Sequence, residues 1–463
     1  MNEEKEYVNY TEMVTSIMEA RSMSSPPLAY THTYGCQGNV ADGEIINGML
    51  SEMGFRFTDD MQKADFILFN TCAVREHAED RVFGNVGALK HIKRKNPNTV
   101  IALCGCMVQQ EHIAEKIRRS YPHVDLVFGT HVIKHFPKLL FETLTGGQRV
   151  FEISGSDGTI AENLPLRRDG TVKAWLPIMY GCNNFCSYCV VPYVRGRERS
   201  RRSSVLIKEA ENIIKAGYKE ITLLGQNVNS YGANCEGELN FSELIRKMDE
   251  IEGDFLIRFM TSHPKDCTEE LIDTIAQCKH TAHHLHLPFQ AGSNRILREM
   301  NRKYTIERYI EIVEAARRAI PDLSITSDVI VGFPGETYEE FSETLDVIRR
   351  VKFTSLYTFI YSAREGTAAA KMDDPIPYEE KSAWLRELLS VQEEIAAERT
   401  ALMVGQVVRV LVEGETKSGD LSCRTSNNLI VEVKGDLSLV GSFIYAEITE
   451  ALNWILRGKI ADM

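Results

Sequence analysis

Three cysteines on one short loop constrain this chain more than any other feature of its sequence. They lie within the run Gly-Cys-Asn-Asn-Phe-Cys-Ser-Tyr-Cys-Val that begins at Gly181, and are Cys182, Cys186 and Cys189. A structural zinc site usually shows two Cys-x-x-Cys pairs or a Cys/His pair set well apart, and a four-iron cluster normally takes four thiolates. Three thiolates at this spacing can hold three corners of a four-iron cluster, which leaves one iron open. A zinc loop and three unrelated core cysteines are the alternatives, and the spacing argues against both.

The segment around this loop resembles the radical S-adenosylmethionine enzymes, and in particular their methylthiotransferase branch. The resemblance rests on the Cys-x-x-x-Cys-x-x-Cys spacing and on the run Asn-Asn-Phe-Cys-Ser-Tyr-Cys-Val-Val-Pro-Tyr-Val-Arg-Gly-Arg-Glu-Arg-Ser-Arg at 183–201. It implies that S-adenosylmethionine chelates the open iron through its amino and carboxylate groups. Electron transfer from the cluster then splits the sulfonium and gives a 5′-deoxyadenosyl radical. Tyr188 resembles the position that meets the adenine of the cofactor.

Three further segments resemble the part of this family that carries a second 4Fe-4S cluster. They read Thr-Tyr-Gly-Cys-Gln at 33–37, Asn-Thr-Cys-Ala-Val-Arg at 70–75 and Gly-Cys-Met-Val-Gln at 105–109. The resemblance implies that the ligands of this cluster are Cys36, Cys72 and Cys106. Cys104 lies two residues before Cys106, so it would point to the same side of an extended strand and could rival it as a ligand. The family pattern favours Cys106.

The segment Leu-Leu-Gly-Gln-Asn-Val-Asn-Ser-Tyr-Gly at 223–232 is similar to the subgroup of this family that acts on tRNA. The resemblance implies methylthiolation of C2 of N(6)-isopentenyladenosine next to the anticodon, with S-adenosylmethionine as both radical source and methyl donor. Methylthiolation of a ribosomal-protein aspartate, or of threonylcarbamoyl-adenosine in tRNA, stays open. A cluster-carrying RNA-binding protein without enzyme activity is the non-enzymatic alternative. The chain departs from the family pattern at Gly38, where relatives often have Met.

The composition favours a large protein of a reducing compartment. Of the 463 residues 43% are hydrophobic, which is enough for two or three cores, and no apolar run is long enough to cross a bilayer. The start of the chain lacks the basic and then apolar pattern of a secretory signal. Eleven cysteines in such a chain argue for metal or redox chemistry rather than disulfides. We therefore expect a cytoplasmic monomer with no membrane association, and the resemblance adds an electron donor such as a flavodoxin or ferredoxin.

The charge balance requires local basic patches if the partner is RNA. Lys and Arg number 53 against 65 Asp and Glu, and the net charge of −12 repels a polyanion at long range. Five arginines directly after the cluster loop are our candidates for contact with a tRNA anticodon loop, namely Arg195, Arg197, Arg199, Arg201 and Arg202. They would repel one another unless some met phosphates, carboxylates or the cofactor carboxylate. An anticodon loop is single-stranded, so its bases can be reached without melting a duplex.

The apolar pattern predicts an α/β protein in which three domains follow a tail at residues 1–25. Residues 26–142 alternate buried strands with helices, which favours an open α/β sheet whose strand ends carry the cysteines of the second cluster. A Gly-rich, charged stretch at 143–167 reads as a linker. Residues 168–398 contain six strand-and-helix units, which suggest a partial (β/α)6 barrel with the cluster loop at the carboxyl end of its first strand.

Two polar residues of the predicted barrel lie where barrel enzymes build their sites. Gln226 follows the second strand and Asp328 lies in the fifth, and we predict that both line the cofactor pocket. Residues 401–463 change to short strands separated by turns, which predicts a small antiparallel β-barrel. This last segment resembles the TRAM domain, a module found on several RNA-modifying enzymes.

Overall fold

The fold divides into two compact units. A computed structural model describes residues 2–21, 26–73, 76–154, 160–233 and 235–461. The first unit comprises Met1–Asp169, Tyr180–Cys182 and Val190–Arg199, and the second comprises Gly170–Met179, Asn183–Cys189 and Ser200–Met463. The chain therefore changes unit five times between Asp169 and Ser200, and two of these changes lie within the cluster loop.

The first unit is built on a six-stranded parallel sheet. Its strands are β1 (Leu28–Thr33), β2 (Arg56–Phe57), β3 (Phe66–Thr71), β4 (Val100–Gly105), β5 (Leu126–Phe128) and β6 (Val150–Glu152), and its helices are α1 (Asn2–Arg21), α2 (Gln37–Glu52), α3 (Glu76–Lys95), α4 (Glu111–Ser120) and α5 (Phe136–Thr145). The strand order is β2-β1-β3-β4-β5-β6. β3 and β4 are buried along their whole length, as continuous apolar strands are when helices cover both faces of a parallel sheet.

Two parts of the first unit differ from the prediction. Residues 1–25 were predicted as a tail, but Asn2–Arg21 is a helix whose Val14 and Met18 are buried in the core of this unit. The predicted linker at 143–167 contains β6, which pairs with β5 and extends the sheet. Both segments are largely polar, so the sequence pattern carries too few apolar positions to mark them as elements. Residues 1, 22–25 and 155–159 of these two predictions lie outside the described residues.

The second unit begins with six parallel strands surrounded by helices. The strands are β7 (Lys173–Pro177), β10 (Glu220–Leu224), β11 (Leu256–Phe259), β12 (His284–His286), β13 (Ser324–Val331) and β14 (Ser355–Ile360). Between β7 and β10 the chain also forms β8 (Met179–Tyr180), α6 (Val191–Val194) and β9 (Arg199–Ser200), and of these α6 belongs to the first unit. The helices are α7 (Ser203–Lys215), α8 (Phe241–Asp249), α9 (Glu269–Gln277), α10 (Asn294–Glu299), α11 (Ile306–Ala319), α12 (Tyr338–Val351) and α13 (Tyr378–Ala401).

The six strands form the predicted partial (β/α)6 barrel. They pair as β7-β10-β11 and as β12-β13-β14, and a backbone bridge from Ile257 to Thr281 joins the two sets. A continuous apolar core lies between these strands and their helices. All pairings are parallel, so the carboxyl ends of the strands meet at one end of the barrel.

The C-terminal part of the second unit is a closed five-stranded barrel. Its strands are β15 (Val407–Glu415), β16 (Leu421–Thr425), β17 (Ile430–Lys434), β18 (Phe443–Leu452) and β19 (Ile455–Ile460), in the order β15-β16-β17-β19-β18. The predicted small antiparallel barrel is confirmed, and four of its five strand pairs are antiparallel while β17 and β19 run parallel. A closed ring with an odd number of strands cannot alternate direction throughout, so one parallel pair is unavoidable.

A buried arginine joins the two barrels of the second unit. Arg258 on β11 donates from Nε to Glu220 Oε2 at 2.7 Å and from its two terminal nitrogens to the carbonyl oxygens of Thr425 and Ser426, each at 2.7 Å. Its side chain is 5% exposed.

No helix among the described residues has the length and apolar character that a bilayer span requires.

Candidate functional site

Cys36, Cys72 and Cys106 lie at the carboxyl ends of three adjacent strands of the first unit. Cys36 precedes α2 and follows β1, while the other two follow β3 and β4. Because β1, β3 and β4 are neighbours in a parallel sheet, their ends bring the three thiols to one edge. Asn39 links two of them, since its Oδ1 lies 3.5 Å from Cys36 Sγ and 3.7 Å from Cys106 Sγ. A hydrogen bond also joins Cys36 and Cys72.

Two glycines let the loops that carry these cysteines approach one another closely. Gly35 has a φ of +105°, and a Cβ placed there would overlap the Cβ of Cys72 and lie 2.7 Å from its Sγ. Gly105 has a φ of +99°, and a Cβ there would overlap the carbonyl oxygen of Thr71. Both positions therefore need glycine for conformation and for space. The close approach suits three thiolates that bind three irons of one cluster.

Arg195 brings a buried positive charge to the three thiols. Its Nε donates to Cys106 Sγ at 3.1 Å, and its Nη2 donates to Asp42 Oδ2 at 2.7 Å and to Asn39 Oδ1 at 3.0 Å. The hydrogen bond with Cys72 lowers the pKa of Cys36 to about 6, and the charge of Arg195 acts in the same direction. Burial raises the pKa of Cys106 to about 11 against the opposing effect of the guanidinium. Since iron binds thiolates, Arg195 favours the form of these cysteines that a cluster needs.

Cys104 is placed differently from Cys106. Its side chain is fully buried among the apolar residues of the core of the first unit, and this burial raises the pKa of the thiol well above its usual range. In the described residues no three His, Cys, Asp or Glu side chains converge on a single metal-ion position. The ligands of an iron–sulfur cluster each bind a separate iron, so a cluster does not require such convergence.

The part of the cluster loop that belongs to the second unit is held by several hydrogen bonds. The N–H of Cys189 donates to the carbonyl oxygen of Cys186 at 3.0 Å, and the N–H of Ser187 donates to the carbonyl oxygen of Met300 at 3.0 Å. Phe185 has a φ of +47°, and the Asn301 side chain donates to its carbonyl oxygen at 2.8 Å. This contact stabilises a left-handed residue directly before Cys186.

A second buried arginine contacts a cysteine of this loop, and sequence reasoning missed it. Arg302 is 7% exposed, and its Nη1 lies 3.5 Å from Cys186 Sγ while its Nη2 donates to the carbonyl oxygen of Pro288 at 2.8 Å. Its Nε donates to the hydroxyl of Tyr304 at 3.0 Å. No spacing rule connects residue 302 with the cysteine loop, so the sequence carried no signal for this contact. Each predicted cluster thus has a buried guanidinium on one of its thiols.

Buried polar atoms without partners lie near the carboxyl ends of the barrel strands. They belong to Gln226, Asn227, Ser262 and Gln290, whose side-chain oxygens have no hydrogen-bond partner among the described residues. Such atoms cost free energy unless a bound molecule completes them. Their position fits a polar cofactor such as S-adenosylmethionine at this end of the barrel. That Gln226 lines the cofactor pocket remains a prediction, which the burial of its unpartnered side-chain oxygen supports.

Asp328 and Tyr188 differ in their surroundings. Asp328 is 30% exposed, and its Oδ1 lies 3.5 Å from Nε2 of His286. Tyr188 is half-buried and packs against an apolar cluster that includes Phe333 and Tyr361. Burial raises the pKa of the Tyr188 hydroxyl well above its usual range. Both roles toward the cofactor remain predictions.

Two exposed aromatic rings share the face of Asp328. Tyr357 and Phe359 on β14 are 44% and 40% exposed, and Tyr357 pairs in register with Asp328 and lies 5.6 Å from the ring of His286. The alternate residue Leu356 packs into the apolar core instead. The sequence predicts this strand but does not reveal which of its faces is exposed.

The five arginines after the cluster loop do not form one basic patch. Arg195 and Arg201 are buried. Arg195 pairs with Asp42, and Arg201 pairs with Glu209 at 2.9 Å. These ion pairs differ from the contact with RNA that was predicted for both arginines. The repulsion noted in the sequence is relieved by these carboxylates. Arg197 and Arg202 are exposed and Arg199 is half-buried. Contact with RNA stays a prediction for these three.

Comparison with known families matches three segments of the chain. A model described as the radical SAM superfamily matches residues 176–348, one described as the uncharacterized protein family UPF0004 matches 29–129, and the TRAM domain matches 401–461. These segments correspond to the partial barrel, the open sheet and the closed barrel. The resemblances drawn from the sequence for the barrel and for the C-terminal domain are confirmed.

Similar proteins cover nearly the whole chain. A protein of Thermoanaerobacter pseudethanolicus named tRNA-2-methylthio-N(6)-dimethylallyladenosine synthase is 49% identical over 436 residues, which cover 94% of this chain and 93% of that protein. Proteins of the same name from Acetivibrio thermocellus and Natranaerobius thermophilus are 49% and 48% identical, over 93% and 94% of this chain and 90% and 96% of their own length.

Solved structures support the fold. The radical S-adenosylmethionine methyltransferase TsrM from Kitasatospora setae has a TM-score of 0.57 at 14% identity, covering 74% of this chain and 77% of its own. The cobalamin-dependent S-adenosylmethionine radical enzyme OxsB has a TM-score of 0.50 at 14% identity, covering 79% of this chain and 56% of its own. At such identities the likeness concerns the architecture alone.

Proposed function

The chain belongs to the family of the tRNA-2-methylthio-N(6)-dimethylallyladenosine synthases, and we propose that it replaces the C2 hydrogen of N(6)-isopentenyladenosine next to the anticodon with a methylthio group. The observation that carries the proposal is a pair of cysteine triads in one chain, each with a buried arginine on one of its thiols. A binding protein would need neither an open iron nor a second cluster.

The cofactors of the proposed reaction are two 4Fe-4S clusters and S-adenosylmethionine. Cys182, Cys186 and Cys189 would hold one cluster, and Cys36, Cys72 and Cys106 would hold the other. When bound, these groups supply a radical able to take hydrogen from an unreactive C–H bond, a sulfur atom and a methyl group. C2 of adenine is neither acidic nor electrophilic enough for an easy polar substitution, which is why this chemistry suits it.

The residues of this chain bind and orient these groups. Gln226, Asn227 and Gln290 offer buried oxygens that suit the donors of the cofactor. Arg302 donates toward Cys186 Sγ at 3.5 Å and so places a buried positive charge beside this ligand. The apolar core behind the strands keeps water away from the barrel side of the site.

The proposed RNA partner is the anticodon loop of tRNA. Unpaired bases of such a loop can stack on aromatic rings, and Tyr357 and Phe359 are exposed on the face of Asp328. Arg197 and Arg202 are exposed cations that could meet phosphates. The C-terminal TRAM domain adds a module typical of RNA-modifying enzymes. We further propose a cytoplasmic monomer reduced by a donor such as a flavodoxin or ferredoxin.

Nucleoside mass spectrometry tests the proposal. The full chain is reconstituted with iron and sulfide without oxygen, and is then given S-adenosylmethionine, a reductant and isopentenylated tRNA. We expect a nucleoside in which methylthio has replaced one hydrogen, and no product from tRNA that lacks the isopentenyl group. Product only from tRNA carrying threonylcarbamoyl-adenosine, or only on a ribosomal protein, would contradict the proposed substrate.

A further inference from the structure

We propose that Arg195 is a positioning residue for the auxiliary cluster, by which we mean the 4Fe-4S cluster on Cys36, Cys72 and Cys106. Its guanidinium holds the Cys106 thiolate and raises the reduction potential of this cluster. The inference rests on the proposed function only in requiring that the auxiliary cluster is bound. It concerns a residue that the sequence suggested for RNA.

The side chain of Arg195 is held in one orientation. Asp42 Oδ2 and Asn39 Oδ1 both accept from Nη2, at 2.7 and 3.0 Å, which leaves Nε directed at Cys106 Sγ at 3.1 Å. The guanidinium is planar, so fixing one terminal nitrogen fixes the direction of Nε. Arg195 and Asp42 are 6% and 5% exposed, so neither can turn away to solvent without opening the core.

The backbone of Arg195 is anchored as well. Its N–H donates to the carbonyl oxygen of Val191 at 2.8 Å at the end of α6, and Thr130 Oγ1 donates to the carbonyl oxygen of Val194 at 2.8 Å. Val190 and Val194 pack with Ala73 and Cys106 in one small apolar cluster. The segment that begins directly after Cys189 thus packs against the loops that carry the auxiliary thiols.

The charges determine the direction of the effect. Hydrogen bonds to cluster sulfurs and the net charge nearby both set the potential of an iron–sulfur cluster. A buried guanidinium is always protonated, and its field is weakly screened, so it stabilises the reduced cluster, which is the more negative form. The carboxylate of Asp42 acts in the opposite direction. Removing the arginine should therefore lower the potential, and removing the carboxylate charge should raise it.

Redox titration of the auxiliary cluster tests this inference. In a full-length parent with Cys182, Cys186 and Cys189 replaced by Ala, the auxiliary cluster is the one expected to remain. The midpoint potential of this cluster is measured by absorption and electron paramagnetic resonance in three proteins. They are the parent, the parent with Arg195→Met and the parent with Asp42→Asn. We expect a lower potential with Arg195→Met and a higher one with Asp42→Asn. A purely structural role would not shift the two in opposite directions.

Arg201→Met is the matched control. Arg201 is also a buried arginine paired with a carboxylate, 9% exposed, but it belongs to the second unit, where it donates to Glu209 and to the carbonyl oxygen of Pro177, so the potential should stay at the parent value. If the Arg195→Met variant takes up no cluster, the potential of the Asp42→Asn variant still tests the inference, because this variant keeps the guanidinium of Arg195. A potential that does not rise in Asp42→Asn overturns the inference. A parent that binds no cluster at all would instead count against the proposed function.

Discussion

Single glycines decide how closely the cysteine-bearing loops of the first unit approach one another. We predict that Gly35→Ala prevents stable uptake of the auxiliary cluster, because the added methyl group overlaps Cys72 and the backbone has a φ of +105°. Iron and sulfide are counted per chain after reconstitution in the parent that lacks the other three ligands.

Gly38→Ala is the matched control for this prediction. A Cβ at Gly38 would lie 3.7 Å from Cys36 Sγ and 3.8 Å from Arg195 Nη2, which is ordinary contact. We expect iron and sulfide contents equal to those of the parent. Equal loss of iron in both variants would contradict the geometry described for Gly35. It would show instead that any side chain beside Cys36 disturbs the site.

At this scale the sequence predicts the ligands but not their partners. The cysteine triads follow from short motifs, whereas the Arg195–Asp42 pair joins residues 153 positions apart, a distance that no local pattern spans. The same limit applies to Arg302 on Cys186. Five arginines in one run suggested a basic patch, yet two of them are neutralised by carboxylates from other elements.

Among the elements, β14 presents two exposed aromatic rings on which an unstacked base could lie. We predict that Tyr357→Ala raises the KM for tRNA about tenfold, since stacking of one base on an aromatic ring is worth roughly 1–3 kcal/mol. The KM for S-adenosylmethionine should stay unchanged. Steady-state kinetics with isopentenylated tRNA measures both constants.

Tyr378→Ala serves as the control for this prediction. Tyr378 is the first residue of α13 and is 66% exposed, so both KM values should remain those of the native enzyme. A Tyr357→Ala enzyme whose KM rises for S-adenosylmethionine instead of tRNA would assign this ring to the cofactor. Unchanged KM values for both substrates would show that Tyr357 on β14 contacts neither of them.

The elements themselves were largely predictable, and the exceptions have physical causes. An alternation of strands and helices was expected for the first domain and six strands for the barrel, and both are found. Strong apolar periodicity makes such elements visible in the sequence. α1 and β6 were missed because tertiary packing, and not local pattern, stabilises them. The parallel pair of β17 and β19 follows from closure of the barrel, which no single strand encodes.

For the molecule as a whole, a buried arginine of the partial barrel, Arg258, joins this barrel to the C-terminal barrel within the second unit. We predict that Arg258→Met lowers the free energy of unfolding by about 3–5 kcal/mol, because Glu220 and two carbonyl oxygens lose their buried partner. Denaturant titration followed by circular dichroism measures the change.

Arg350→Met provides the comparison for Arg258→Met. Arg350 is 62% exposed and pairs with Glu314 at 2.9 Å on the surface, where an ion pair contributes about 0–1 kcal/mol. Similar shifts of the unfolding midpoint in the two variants would mean that the buried pair contributes no more than a surface pair.

The central claim is that the two cysteine triads do different work. The most direct test compares Cys186→Ala with Cys72→Ala after reconstitution, measuring 5′-deoxyadenosine and methylthiolated nucleoside in the same reaction. We expect Cys186→Ala to form neither product, and Cys72→Ala to form 5′-deoxyadenosine without inserting sulfur. Loss of both products in Cys72→Ala, with the cluster on Cys182, Cys186 and Cys189 spectroscopically intact, would contradict the division of labour.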